Sequence, residues 1–235
     1  MHPNISELIR STLYPSLNNG GVVSRYPGIH GTKKRLFWLH HESPEDQLTQ
    51  LATSRTNTFE VNMTVSLVQH LVRQGSYGPD DIAVITPYLA QLLRLRRQME
   101  RLFEISVGER DLEEIEVLNS NKSNEQTVYQ PYNPPIVKRN LLKSIRLATV
   151  DNFQGEQAKV VVVSGSNRAN KYGFLNTLNR INVLLSRAQH GIYLIGNANT
   201  YKHVGMWAKV LEILERDGNI GRELELQYEQ YLSLR

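Results

Sequence analysis

Five short apolar runs set the fold class of this chain: RLFWLH (35–40), DIAVIT (81–86), IRLATV (145–150), KVVVVS (159–164) and GIYLIG (191–196). A strand with one wet face alternates apolar and polar residues; these do not alternate and are rich in β-branched residues. Such strands belong to a parallel sheet covered by helices on both faces. The stretches between them carry a helical period. In 57–74, Val61, Val65, Val68, Leu71 and Val72 recur at helical spacing and the pattern stops near Gly75. A second helix is expected over 88–103, with Arg94, Arg96, Arg97 and Arg101 on one side, and a last amphipathic one over 202–216. The expectation is an α/β domain with a parallel sheet of about five strands and helices on both faces.

Two regions depart from this rhythm. Residues 1–34 read as a short helix, roughly Ile5 to Leu13, and a Gly-rich connector that pack on the main domain, 35–217. That domain is interrupted at about 105–142 by an acidic helix, GERDLEEIEVL, and a polar, Pro-containing loop expected to be mobile. Residues 218–235 form a tail. With 235 residues the chain is long enough for one substantial core.

Composition excludes several chemistries. With no cysteine in the sequence there is no disulfide, thiol nucleophile or cysteine-based zinc site. The adjacent His40 and His41 point to opposite sides of a strand and make a poor chelate, so they are read as a strand end. A net charge of +4 permits a polyanionic partner and equally fits a solvated surface. The start, MHPNISELIR, has neither a basic nor an apolar signal region, and no apolar run is long enough to span a bilayer. The expected setting is intracellular, nucleus or cytoplasm, without membrane.

Two stretches carry chemistry. TVDNFQGEQ (149–157) sets a Gln-Gly turn between two strands, where a phosphate or a backbone can approach closely. NVLLSRAQHG (182–191) puts Arg187 on a helix just ahead of a strand, where an arginine can stabilise charge on a transferring phosphate. Counted at helical spacing, Phe174, Leu178, Ile181, Leu185 and Ala188 all fall within about 40° of one line and form a core stripe. Arg180 and Arg187 lie together on another face, either aimed into a cleft or left as a surface pair. There is no GxxxxGK[ST] phosphate cradle, no GxSxG and no GxGxxG, and Glu113, Glu114 and Glu116 fit a solvated helix.

Taken in order, MHPNISELIRSTLYPSLNNG (1–20), SRTNTFE (54–60), VITPYLAQ (84–91), TVDNFQGEQ (149–157) and NRINVLLSRAQHGIYLIGN (179–197) resemble the second RecA-like domain of superfamily 1B helicases of the Upf type. The match spans nearly the whole chain and is nearest the RNA-silencing helicases that carry NFX-type zinc fingers, whose fungal members share the ERDLEE insertion. The resemblance implies a RecA-like sheet and an ATP-dependent motor on RNA or DNA. Arg187 matches the arginine finger and Arg180 the earlier arginine of the same motif, the two catalytic assignments. Gly155, with Glu156 and Gln157, falls on the nucleotide-binding turn. Thr86, Tyr88, Gln91, Thr149 and Gln154 fall on positions that touch nucleic acid or couple it to ATP. No metal ligand is implied in this chain: ATP and Mg2+ would be held mainly by an upstream RecA-like P-loop domain. Partners would be that domain, single-stranded RNA or DNA, and RNA-silencing factors.

The chain also departs from the family. The family usually has Tyr-Arg before MHP, whereas this sequence starts at Met1, inside the motif; Gln157 stands where a ribose-binding glutamate is common, and Ser164 to Arg168 is one residue longer than S-x-x-R. Gln189 replaces a commoner lysine, and the cysteine-rich fingers are not in this sequence. Two readings follow. One is a second motor domain that is inactive by itself. The alternative is a non-catalytic nucleic-acid or protein-binding module from a truncated helicase paralogue.

Overall fold

The computed structural model describes residues 1–46, 56–120, 144–165 and 177–227, with side chains of the third segment's predecessor to residue 117. Its centre is a parallel sheet made by β1 (Leu36–His40), β2 (Ile82–Thr86), β3 (Glu104–Val107), β4 (Ser144–Thr149), β5 (Ala158–Ser164), β6 (Ala188–Gly196) and β7 (Ile220–Gly221). The order across the sheet is β3-β4-β2-β5-β6-β1-β7, and every pairing is parallel. All five expected strands are present, in the RecA-like α/β arrangement. The sheet has seven strands rather than about five, because β3 and β7 lie at its edges. Four half-exposed residues and a two-residue stub leave too little periodicity to be read from sequence.

The tetrad Val160 to Val163 explains why the strands are apolar throughout. Val161 and Val163 join Trp38, Ile85, Ile192 and Leu194 in a core beneath α1 (Pro3–Arg10), α5 (Leu178–Leu185), α6 (Ala198–Tyr201) and α7 (Gly205–Arg216). Val160 and Val162 join Phe37, Val84, Leu147 and Tyr193 beneath α2 (Thr58–Arg73) and α3 (Leu89–Met99). Each buried valine contributes roughly 1.5–3 kcal/mol relative to exposure. A single polar replacement on either face would therefore lose that term and strand a polar group.

Helix boundaries differ from expectation where local chemistry intervenes. The first helix starts at Pro3, whose missing N–H is no loss in a first turn, and His2 caps it by accepting from the Asn4 N–H at 3.2 Å. The last helix starts at Gly205 rather than about 202, because the backbone N–H of Val204 bonds to Tyr201 and the chain turns after the separate short helix α6. The acidic stretch forms α4 (Glu109–Ser120). The expected loop at about 121–142, Phe174, Arg168 and the end of the tail lie outside the described residues.

Candidate functional site

The turn 150–157 carries the chain from the end of β4 to the start of β5, and it crosses one face of the sheet with Val150 and Phe153 buried in the core. Those two side chains anchor the turn; its polar residues are left facing out. Gly155 has φ +88, a region that side chains strain to enter, yet a Cβ there would meet nothing within 4 Å. The glycine is thus needed for its backbone angle, and the peptide beside it is open to approach.

Arg187 closes on this turn. Its Nη1 donates to the Glu156 carbonyl at 3.2 Å, its Nε to the Val183 carbonyl at 2.8 Å and its Nη2 to Ser186 Oγ at 2.6 Å. Partial burial lowers its pKa, but a guanidinium keeps its charge. Arg180 meets the same turn further along, with Nε and Nη2 each 3.0 Å from the Asp151 carboxylate. One expectation is corrected here. α5 ends at Leu185, so Arg187 sits in the joint before β6 rather than on the helix, and the two arginines share no helical face. They reach one turn because the helix stops at Ser186, in the αR conformation with ψ 0.

The rest of this edge is tied together by short bonds. The Glu156 carboxylate accepts from Arg146 Nε at 2.8 Å and Nη2 at 2.6 Å, and this bond is the main cause that raises the Arg146 pKa. Gln189 donates to the Gln157 side chain at 3.2 Å, and its carbonyl accepts the His2 N–H at 2.7 Å. Residues 1–2, 156–157 and 187–189 therefore form one edge, at the starts of β5 and β6, while Asp151 and Arg180 meet at the other end of the turn, just beyond β4. His2 sits there among Arg35, the amino terminus and His190, and desolvation followed by these charges lowers its pKa to about 4.

The other expected residues lie at the opposite, C-terminal ends of the strands. Thr86 and Thr149 are paired in register at the ends of β2 and β4. Thr86 is fully buried and its hydroxyl has no partner among the described residues. Tyr88 is half-buried at the N-cap of α3. Gln91 is also fully buried: its amide donates to the Asn57 carbonyl at 3.2 Å and to Ser164 Oγ at 2.8 Å, and accepts the Asn57 N–H at 2.9 Å. In this conformation neither Thr86 nor Gln91 faces solvent. Gln154 is exposed on the turn.

A family model described as an AAA domain matches residues 1–199. The chain belongs to this AAA-domain family, among the Upf-type superfamily 1 helicases. It is 30% identical over 228 residues to NFX1-type zinc finger-containing protein 1 of Mus musculus, covering 96% of this chain and 10% of that protein. It is 30% identical to the helicase required for RNAi-mediated heterochromatin assembly 1 of Schizosaccharomyces pombe, covering 94% and 18%. To the ATP-dependent helicase upf1 of the same yeast it is 24% identical, covering 88% and 20%. The chain thus spans about a tenth to a fifth of these relatives' lengths.

Two features of this helicase domain were not singled out from sequence. The first is a buried polar network: Glu60 accepts from Ser164 Oγ at 2.8 Å and pairs with His41 Nε2 at 3.2 Å, while Asn57 Oδ1 accepts the Glu60 N–H at 3.1 Å. Asn57 and Glu60 have capping-box spacing, a legible signal, although the glutamate turns into the core instead of back to the cap. The second is Asp111, completely buried against Thr149. It is one of several carboxylates in an acidic helix, and only the packed fold separates it from its solvated neighbours. Among the described residues no helix is long and apolar enough to cross a membrane.

Proposed function

We propose that this domain is the second motor domain of an ATP-dependent RNA or DNA helicase, supplying Arg187 to a nucleotide held by an upstream P-loop domain. The observation that carries the reading is the approach of Arg187 to the open turn at Gly155 and Glu156. Three of its five N–H groups are engaged by Val183, Ser186 and Glu156. One N–H on each Nη remains without a partner among the described residues. That pair is the planar fork which suits two phosphate oxygens, and the three bonds behind it fix its aim before any phosphate arrives. ATP with Mg2+ would be bound mainly by the partner domain, and charge building on the transferred phosphoryl would be met by Arg187. Arg180, tied to Asp151, holds the far end of the turn. Single-stranded nucleic acid would run over the opposite edge, past Tyr88 and Thr149, with Gln154 on the turn that leads away from it. The name of one relative, the helicase required for RNAi-mediated heterochromatin assembly 1, supports RNA silencing as the setting, with its factors as partners inside the cell.

The domain alone should not turn over ATP. Joined to a P-loop domain, Arg187→Ala should lower RNA-stimulated hydrolysis by about 10³–10⁵-fold, and Arg187→Lys by nearly as much. Rapid RNA-dependent hydrolysis by the pure 235-residue chain would sink the reading of an incomplete site. A non-catalytic binding module is the second reading, favoured by one observation: Glu156 is committed to Arg146, leaving Gln157 where a ribose-binding carboxylate would be expected. In that case Arg187→Ala would leave every activity unchanged.

A further inference from the structure

Asp111 comes from the first turn of α4 and ends at the end of β4 with no exposed surface. Its Oδ1 accepts from Thr149 Oγ1 at 2.7 Å and from Asn152 Nδ2 at 2.6 Å, and its Oδ2 accepts the Thr149 backbone N–H at 3.1 Å. A backbone N–H, a hydroxyl and a side-chain amide thus converge on one pair of anionic oxygens. Each donor is neutral, so the cradle bears no charge of its own. Arg146 feels the charge of Asp111, but its guanidinium is bonded to Glu156. The cradle sits outside the carboxyl end of a strand, where open parallel sheets place their ligands.

Among the described side chains the holder of the carboxylate has few buried anchors, and Glu114 adds only a long bond, accepting from Asn152 Nδ2 at 3.4 Å. Ile115 is the one α4 side chain in the buried core among the described residues, while Glu113, Glu114, Glu116 and Val117 are exposed. An element with few buried contacts opens at low cost. A carboxylate and a phosphodiester both offer two anionic oxygens to such donors, and both make charge-assisted bonds with them.

We infer that Asp111 is a built-in anion mimic: it fills a three-donor cradle at Thr149 and Asn152, and a backbone phosphate of single-stranded nucleic acid must displace it to bind there. The inference rests on the proposed reading that the strand crosses this edge. α4 is then a guard on the nucleic-acid path. Binding of the strand and docking of α4 exclude each other, so anything that draws α4 away raises nucleic-acid affinity.

The test uses the full chain as D111N, which keeps the side chain's shape, as D111S, and as the double variant D111N/T149V. Binding of a fluorescein-labelled oligouridylate is followed by anisotropy, and thermal unfolding is recorded against added sulfate. The expected result is about tenfold tighter RNA binding by D111N, the scale of one charge-assisted bond, lost again in the double variant. Sulfate should raise the melting temperature of D111N and D111S but not of the wild type. Unchanged or weaker RNA binding by folded D111N, with no sulfate effect, overturns the inference. So does failure of both single variants to fold, since Asp111 would then hold the fold instead of guarding a site. If sulfate stabilises D111N while no variant binds RNA, the cradle stands and the proposed strand path fails.

Discussion

Removing the Glu60 carboxylate should be among the most damaging single changes to this domain. Glu60 is completely buried, and Ser164 Oγ and His41 Nε2 both direct their bonds to it, at 2.8 and 3.2 Å. In Glu60→Ala both partners lose their acceptor inside the protein, at about 1–3 kcal/mol each. A cavity left by the missing atoms adds to this, and the total falls at about 3–5 kcal/mol, the range found when one partner of a buried polar pair is deleted. For a domain of this size that corresponds to a fall in melting temperature of roughly 6–20 °C. Glu60→Gln retains the volume and a carbonyl acceptor, and should cost about 1–2 kcal/mol. Urea unfolding followed by tryptophan fluorescence measures both, because Trp38 and Trp207 are buried edge-to-face with ring centroids 5.5 Å apart. A Glu60→Ala protein within about 1 kcal/mol of wild type would refute the reasoning, since water must then reach Ser164 and His41 freely.

Gly155→Ala has no clash to relieve, so its cost is the backbone angle alone: about 1–2 kcal/mol in urea unfolding, with a matching loss of order in the turn 150–157. An unchanged midpoint would show that φ +88 is not required there. His2 should titrate near pH 4 by NMR, well below its ordinary 6.5. Because the folded pKa is depressed for a group that is charged when protonated, the unfolded chain takes up the proton first. The contribution of His2 to stability is therefore complete above pH 6.5 and is lost as pH falls from there to about 4. A normal midpoint would mean that the ring is not desolvated and that Arg35 does not press on it.

Sequence alone determined the layered architecture. Val160 to Val163 can all be buried only in a sheet covered on both sides, and the helical periods between strands supply the covers. The motif order located the turn at 149–157 and the arginines that meet it, because the turn depends on a local backbone angle and a local residue pattern. Its reach ended where contacts span the chain. A period of apolar residues runs on past Leu185 and by itself places Arg187 on a helix; the helix stops where Ser186 and the start of β6 claim the backbone. Glu60 and Ser164 are 104 residues apart, and Asp111 and Thr149 are 38 apart. The spacing from Asn57 marks Glu60 as a helix-start residue, but no local pattern shows that either carboxylate is buried, since that depends on what the folded sheet brings against it. Tertiary structure alone decided that Gln91 and Thr86 turn inward, that Arg187 and Arg180 converge on one turn, and that an aspartate of α4 occupies the end of β4. Local periodicity sets which face of an element is apolar, whereas the pairing of distant polar groups follows from sheet order and register.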